Sequence, residues 1–306
     1  MVGRSLPLSI FCHAVLLVGA AVVCVPLYFA VVAGSLSLQE VQQTPFPLLP
    51  GSHFIDNMVA AWNQGDFSRL FINSTVVTVG IVVGKLVVSM LAAFAITYFR
   101  FPFRMTAFWL IFVSLMLPVE VRIIPTYEAV ADAAGPLRWL VGSIGLSGLV
   151  EGLTGYKLEL ALQWNMINSY GGLILPLIAS ASATFLFRQF FLTVPEELCE
   201  AAKLDGAGPL RFFWYVLLPL SRANIAALAI ILFLFGWNQY LWPLLFTTDK
   251  EMATAILGLK ALVPVSDAAP AWNIAMSAAL FVMLPPALVI LIMQRWFTRG
   301  LVDAGK

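Results

Sequence analysis

The sequence predicts an all-α polytopic membrane protein, because its composition is too apolar for a soluble globule and its apolar stretches are long. Of the 306 residues, 61% are hydrophobic and 11% are charged, with a mean hydropathy of +0.92. Soluble domains carry about 25% charged residues. A helix needs roughly 20 apolar residues to cross a bilayer. Backbone hydrogen bonds in lipid must be satisfied within the protein, which favours helices for these stretches.

Six stretches are predicted to span the membrane. Their bounds are Leu8–Gly34, Phe71–Tyr98, Thr106–Tyr127, Ser169–Phe191, Asn224–Thr247 and Asn273–Phe297. The first could instead be a cleaved signal peptide ending at Ala33-Gly34-Ser35, but its apolar region exceeds the ~7–15 residues of such a segment. We therefore expect an uncleaved first span over 8–34. The chain is expected to form a single transmembrane domain, 1–306, with its core over 71–297.

Lysine and arginine accumulate on the cytoplasmic side of membrane proteins, and this bias orients the spans. Ten of these residues fall on one side: Arg4, Arg100, Arg104, Arg188, Lys203, Arg211, Arg222, Arg295, Arg299 and Lys306. Five fall on the other: Arg69, Arg138, Lys157, Lys250 and Lys260. Both termini and the segment around Glu200 are therefore predicted to be cytoplasmic. The loops 35–70, 128–168 and 248–272 are predicted to face outward.

Residues 131–165 are predicted to form part of an outward loop rather than a further span, since they hold six glycines. Within them, Leu146–Leu162 could form an interfacial helix. If this stretch crossed the membrane instead, every later segment would invert, and the charge bias disfavours that arrangement.

The charged segment 193–219, between the fourth and fifth spans, is predicted to be a helical hairpin. Thr193 can cap its first helix, with Pro195 just inside and Glu196 at the capping-box position. Gly206 can end that helix, since glycine accepts a positive φ.

A second short helix is predicted at Leu210–Leu218, with Pro209 at its start and Pro219 ending it. Ala201 and Ala202 are small, so the surface of another protein could approach the first helix closely. An ordinary amphipathic connector between two spans would also fit this pattern.

The hairpin resembles the EAA loop of ABC-importer permeases. The resemblance is carried by Glu200, Ala201, Ala202, Gly206, Val216, Leu218 and Pro219, with Val216 where the family has Ile. It implies that this loop, with Asp205 beside Gly206, is a coupling segment. Such a segment sits in a groove of a separate ATPase subunit and transmits nucleotide-driven closure to the spans.

Further segments extend the resemblance over nearly the whole chain. Residues 237–244 resemble the WNEFLWPL element of the maltose-permease-like, binding-protein-dependent subunits, with Gln239 in place of the usual Glu. Residues 115–123, 183–191 and 294–303 are similar, more narrowly, to the second permease subunits of sn-glycerol-3-phosphate importers. The segment 131–165 departs from this pattern as an insertion in the outward loop.

The resemblance implies a permease subunit of a bacterial inner-membrane ABC importer, for sn-glycerol-3-phosphate and related glycerophosphodiesters. Its implied partners are an ABC ATPase dimer, a second homologous permease, a periplasmic substrate-binding protein and membrane lipid, but no nucleic acid. ATP and Mg²⁺ would bind the ATPase, and this chain would hold no cofactor. The alternatives are a permease for a sugar or polyol, a secondary transporter that runs without an ATPase, and a membrane enzyme.

The sequence offers no nucleotide-binding motif of its own. The stretch Gly80–Leu86 has three residues between its glycines instead of four, no hydroxyl residue after Lys85, and an apolar span around it. No nucleophile–base cluster is evident, and Cys12, Cys24 and Cys199 lack metal-site spacing. We therefore expect no catalytic or metal site here, and ATP hydrolysis by a partner.

Polar side chains within the spans are candidate substrate-pathway residues, since ionisable groups in a membrane are costly. The candidates are Lys85, Glu120, Arg122, Asn238 and Gln239. A phosphate-bearing substrate would need a cationic partner, and arginine matches phosphate geometry. In the alternative interpretation, Arg122 pairs with a carboxylate such as Glu120, Lys85 extends to the interface, and the amides join helices.

Overall fold

The computed structural model describes residues 6–114, 117, 119–143, 164–263 and 270–303. Regular structure in these residues is helical, which confirms the all-α prediction. The helices are α1 (Leu6–Ser35), α2 (Leu38–Val41), α3 (Phe54–Gln64), α4 (Phe67–Tyr98), α5 (Arg104–Val113), α6 (Val119–Ala131), α7 (Gly135–Ser143), α8 (Tyr170–Ile174), α9 (Ala181–Thr193), α10 (Glu196–Leu204), α11 (Pro209–Phe212), α12 (Leu218–Leu220), α13 (Arg222–Trp237), α14 (Leu241–Phe246), α15 (Ala255–Ala261) and α16 (Trp272–Asp303). Short 3₁₀ turns occupy Leu175–Leu177 and Lys250–Met252, and a π-helical turn occupies Phe213–Leu217.

Three helices of the described chain are long and apolar enough to cross a bilayer: α1, α4 and the Trp272–Gln294 part of α16. They coincide with the first, second and sixth predicted spans. Two bent pairs also qualify if each pair counts as one span. One pair joins Tyr170–Leu177 to α9 with a bend of 48°, and the other joins Pro209–Leu220 to α13 with a bend of 73°.

The third, fourth and fifth predicted spans are interrupted. The third is divided between α5 and α6, and the fifth between α13 and α14. The fourth is divided at a 3₁₀ turn, where Pro176 lacks the N–H that a continuous helix would use. At the start of the predicted outward loop lies α7, whereas the Leu146–Leu162 stretch is outside the described residues.

The chain divides into two compact units, Met1–Phe71 with Ala255–Pro285 and Ile72–Thr254 with Pro286–Lys306. The expectation of a single domain stays a prediction beside this division. In the first unit, a buried amide joins α1, α3 and α16. Asn57 Nδ2 donates to the carbonyl oxygens of Gly34 (2.9 Å) and Leu36 (2.8 Å), and Asn57 Oδ1 accepts from Asn273 Nδ2 (3.0 Å). These bonds satisfy carbonyl groups at the end of α1 that lack helical partners.

In the second unit, two isoleucine side chains pack directly against two glycines of α4. A Cβ on Gly80 would lie 2.6 Å from Ile174 Cδ1, and a Cβ on Gly84 would collide with Ile178. The two glycines are four residues apart, which is the spacing by which membrane helices approach one another closely. The stretch that fails as a nucleotide-binding motif is therefore a helix-packing surface.

Candidate functional site

A cavity of about 450 Å³ in the second unit is lined by residues from α4, α5, α6, α9, α13 and α14 and from the chain before α9. Its polar lining residues are Lys85, Ser114, Arg122, Thr126, Ser180, Ser182, Thr184, Gln239 and Trp242. Among the described residues that line it, none is an aspartate or a glutamate. The cavity therefore offers two cations together with hydroxyl and amide groups, a combination suited to an anion that carries hydroxyls.

Lys85 is the buried cation of this cavity. Only 7% of its surface is exposed, and its Nζ lies 3.8 Å from the centroid of the Phe235 ring. Within the described part of the chain, Lys85 makes no ion pair with a carboxylate. Burying an unpaired charge is costly, and the negative face of an aromatic ring offsets only part of that cost. The alternative interpretation of the sequence was that Lys85 extends to the membrane interface. In the structure its side chain is instead buried beside Phe235.

The start of α9 brings hydroxyl groups to the same cavity. The Ser180 hydroxyl accepts from the Ala183 N–H (3.4 Å) as an N-cap, and the Ser180 carbonyl accepts from the hydroxyls of Ser89 (3.1 Å) and Thr184 (2.8 Å). These bonds fix the entry to α9, whose N-terminal end favours negative charge. Another donor is available nearby, since the buried Trp242 Nε1–H has no hydrogen-bond partner among the described residues.

The cavity brings together three of the five predicted pathway residues, Lys85, Arg122 and Gln239. Asn238 is the exposed C-cap residue that follows α13, and it is not among the residues that line the cavity. Glu120 lies in α6, and its side chain is outside the described residues. Their roles in a substrate pathway stay predictions.

Sequence reasoning missed the hydroxyl residues Ser180, Ser182 and Thr184. A signal was present, since these polar residues follow Pro176 inside an otherwise apolar stretch. A proline break followed by small polar residues marks irregular backbone, which at membrane depth is tolerated where it lines a cavity or is buried in protein.

The charged hairpin begins later than predicted. Thr193 is the last residue of α9, where its hydroxyl donates to the Phe190 carbonyl (2.7 Å), so it does not cap α10. Pro195 directly precedes α10 and provides no side-chain cap. The prediction of a Thr193 cap was wrong because two non-helical residues separate the helices, which puts Thr193 out of reach of the first turn of α10.

The end of α10 is as predicted. Gly206 has a φ of +72°, its N–H donates to the Lys203 carbonyl (3.0 Å), and the Ala207 N–H donates to the Ala202 carbonyl (2.8 Å). This pair of bonds is a Schellman motif, which turns the chain sharply after a helix.

Pro219 does not end the second helix of the hairpin. The helical run continues from α11 through the π-helical turn and α12 to Leu220, and the 73° bend into α13 follows. A proline ring clashes with the carbonyl four residues earlier in a regular α-helix. The wider π-helical turn Phe213–Leu217, which contains the residue four positions before Pro219, relieves that clash, so the chain stays helical.

The hairpin has one packed face and one open face. Cys199, Ala202 and Val216 pack against a buried cluster that consists of Met90, Ala93, Phe94, Phe187, Phe191, Phe212, Phe213, Leu217 and Leu228. On the open face, Glu200 and Ala201 are exposed, as are Leu204 (89%) and Tyr215 (77%). The packed face supports the hairpin, and the open face offers acidic and apolar side chains to another surface.

Residues 85–303 match the family described as "Binding-protein-dependent transport system inner membrane component". The chain belongs to this family. The resemblance stated from the EAA-like loop and the 237–244 element is therefore confirmed, and this family member is an inner-membrane component of a transport system.

Full-length relatives carry more specific names. The chain is 46% identical to the sn-glycerol-3-phosphate transport system permease protein UgpE of Yersinia pestis and 48% identical to that of Pectobacterium atrosepticum, with all of each chain covered. With UgpE of Escherichia coli O1:K1 it shares 46% identity over 98% of each chain. The names of these relatives are those of transport permease subunits, which is consistent with a non-catalytic membrane component.

A solved structure shares the fold. The bacterial ABC transporter involved in the import of the acidic polysaccharide alginate superposes with a TM-score of 0.74, covering 97% of this chain and 99% of that chain at 19% identity. The similarity shows that this family member shares a helical fold with that chain.

Proposed function

We propose that this family member is the permease subunit of an ATP-driven importer for sn-glycerol-3-phosphate and related glycerophosphodiesters. The observation that carries the proposal is its 46–48% identity over the full length to permease proteins named for that transport system. The cavity supports it independently, because Lys85 and Arg122 suit a phosphate and the hydroxyl groups suit the glycerol.

The proposed membrane arrangement is a single domain, 1–306, of six spans with both termini in the cytoplasm. The spans are α1, α4, α5 with α6, α8 with α9, α13 with α14, and α16. Alone, α13 has 16 residues. At 1.5 Å per residue it would reach only about 24 Å of the ~30 Å hydrocarbon layer. In the proposed arrangement α14 completes the crossing, because the hairpin before α13 lies in the cytoplasm.

The proposed partners are an ABC ATPase dimer, a second homologous permease, a periplasmic substrate-binding protein and membrane lipid. The open face of the hairpin is the proposed ATPase contact, with Glu200, Ala201, Ala202, Asp205, Gly206, Leu218 and Pro219 as the coupling loop. ATP and Mg²⁺ would bind the ATPase, and this chain would supply no catalytic residue.

Coupling in this proposal is mechanical. Closure of the ATPase dimer moves α10, and the packing of Cys199, Ala202 and Val216 on the buried aromatic cluster passes the movement to α4, α9 and α13. The cavity then opens alternately to either side of the membrane. Nucleotide drives this cycle only if the two states of the complex, open to one side of the membrane or to the other, bind nucleotide with different affinities.

The test replaces Arg122 by glutamine in the reconstituted complex and measures uptake of radiolabelled sn-glycerol-3-phosphate. A charge-assisted hydrogen bond contributes about 1.5–3 kcal/mol, so we expect uptake to fall about 10- to 100-fold with normal assembly. Arg104→Gln, which removes a half-buried arginine that does not line the cavity, is the control and should retain uptake. Near-normal uptake by Arg122→Gln would exclude Arg122 from the pathway.

A further inference from the structure

We propose that Phe235 is a positioning residue. Its ring binds the Lys85 ammonium at the cavity wall until the substrate phosphate replaces the ring as the partner of that ammonium. The inference rests on the proposed import of sn-glycerol-3-phosphate. Beyond that function, it assigns to Phe235 the role of keeping the Lys85 ammonium where the negatively charged phosphate of the substrate can bind it.

The geometry places one buried cation against one aromatic face. Lys85 lines the cavity, and only 7% of its surface is exposed. Its Nζ lies 3.8 Å from the centroid of the Phe235 ring. No carboxylate among the described residues lies within ion-pair distance of it. The ring is therefore the group that solvates this ammonium within the described part of the chain.

A ring is suited to a temporary partner. A cation–π contact is weaker than the charge-assisted hydrogen bonds that a phosphate forms with an ammonium, so an entering phosphate can replace it. A carboxylate in the same place would compete with the phosphate for the charge. Without an aromatic ring or a carboxylate beside it, the flexible four-carbon stem of lysine is free to turn the ammonium away from the cavity.

A hydrogen bond joins the backbone of Phe235 to another residue that lines the cavity. Gln239 Nε2 donates to the Phe235 carbonyl (3.1 Å), and both residues line the cavity. The aromatic ring, the Gln239 amide and the Lys85 ammonium thus occupy one wall. Phe235 is also partly exposed, so its truncation does not open a closed core.

The test compares Phe235→Leu with Phe235→Tyr in proteoliposomes that contain the complete importer, with radiolabelled sn-glycerol-3-phosphate as substrate. The binding protein sets half-saturation, so we expect that value to stay unchanged. We expect the maximal uptake rate of Phe235→Leu to fall about 5- to 30-fold, the range given by the strength of a cation–π contact at a buried ammonium, and Phe235→Tyr to keep at least about half of the rate. Phe233→Leu removes a ring of the same helix that stacks on Trp237 and should leave uptake unchanged.

A second measurement separates the ring's action on Lys85 from simple packing. In a Lys85→Met background, Phe235→Leu should cause no further loss, measured as ATPase activity stimulated by the loaded binding protein. An equal loss in that background, or a wild-type rate for Phe235→Leu, would overturn the inference. If Phe235→Leu does not assemble, Phe235→Met replaces it in the same comparison. A wild-type complex that imports no sn-glycerol-3-phosphate would instead overturn the proposed function, and this inference with it.

Discussion

Gln239 is the neutral polar residue of a wall that also carries the Lys85 ammonium, and Arg122 lines the same cavity. With an amide at this position, neither cation is neutralised by the described lining. The net charge of the cavity therefore depends on residue 239. A glutamate there would place a carboxylate where glutamine has its neutral amide.

Gln239→Glu is predicted to lower sn-glycerol-3-phosphate uptake by about tenfold or more. The added carboxylate would pair with a cavity cation and repel the anionic substrate, and interactions between close charges are strong away from bulk water. Uptake into proteoliposomes measures the effect, and Gln239→Met, which keeps a similar volume without charge, should retain most of the activity. Unchanged uptake by Gln239→Glu would show that this position does not sense the charge of the substrate.

At the residue scale, the sequence allowed us to identify residues whose polarity differs from that of their neighbours. Lys85, Arg122 and Gln239 were identified because each is polar within an apolar stretch. Phe235 was not, because a phenylalanine in an apolar helix has no distinguishing pattern and its contact with Lys85 joins residues 150 positions apart. Asn238 was selected beside Gln239, but only Gln239 lines the cavity, because the chain leaves the helix after Trp237 and a sequence pattern does not fix the direction of side chains in such a break.

Among the elements, α4 depends on its two glycines for contact with the segment that precedes α9. Gly84→Ala is predicted to destabilise the protein by about 1–3 kcal/mol, because the new methyl group would overlap Ile178. The thermal unfolding midpoint in detergent measures this effect. Gly19→Ala in α1, where nothing lies within 4 Å of the added Cβ, is the control and should not lower the midpoint. A midpoint for Gly84→Ala equal to that of the control would contradict the close approach at α4.

The hairpin depends on the left-handed backbone of Gly206. Gly206→Ala is predicted to cost about 1–2 kcal/mol, since L-residues other than glycine are strained in this conformation, and to lower ATP-driven uptake several-fold by disturbing the turn after α10. Gly208→Ala is a matched control, because its added Cβ also meets nothing within 4 Å and its φ is −71°. Equal uptake by the two variants would show that the turn geometry is not needed for coupling.

At the element scale, hydropathy gave the positions of the long helices, and local chemistry gave the end of α10 at Gly206. The caps and breaks were harder to predict. Thr193 has the sequence spacing of a cap but is used by α9, and Pro219 has the signature of a helix end but follows a π-helical turn. Both outcomes depend on how neighbouring elements pack, which a local sequence pattern does not contain.

For the whole molecule, composition sufficed to predict a helical membrane protein, and the EAA-like loop sufficed to predict the family. The cavity could not be predicted as a whole. It is assembled from α4, α5, α6, α9, α13 and α14, so its shape depends on long-range packing, and its irregular wall at Ser180 depends on the break at Pro176. The orientation of the termini and the six-span arrangement stay predictions that the charge bias supports.

Uptake of radiolabelled sn-glycerol-3-phosphate into proteoliposomes most directly tests whether this chain forms the membrane pathway of an ATP-driven importer. The vesicles contain the complete complex, with ATP in the lumen beside the ATPase and the binding protein outside. We predict accumulation with ATP, but none with a non-hydrolysable ATP analogue or when this chain is omitted. Absence of accumulation with ATP, or accumulation driven by an ion gradient without ATP, would contradict the account.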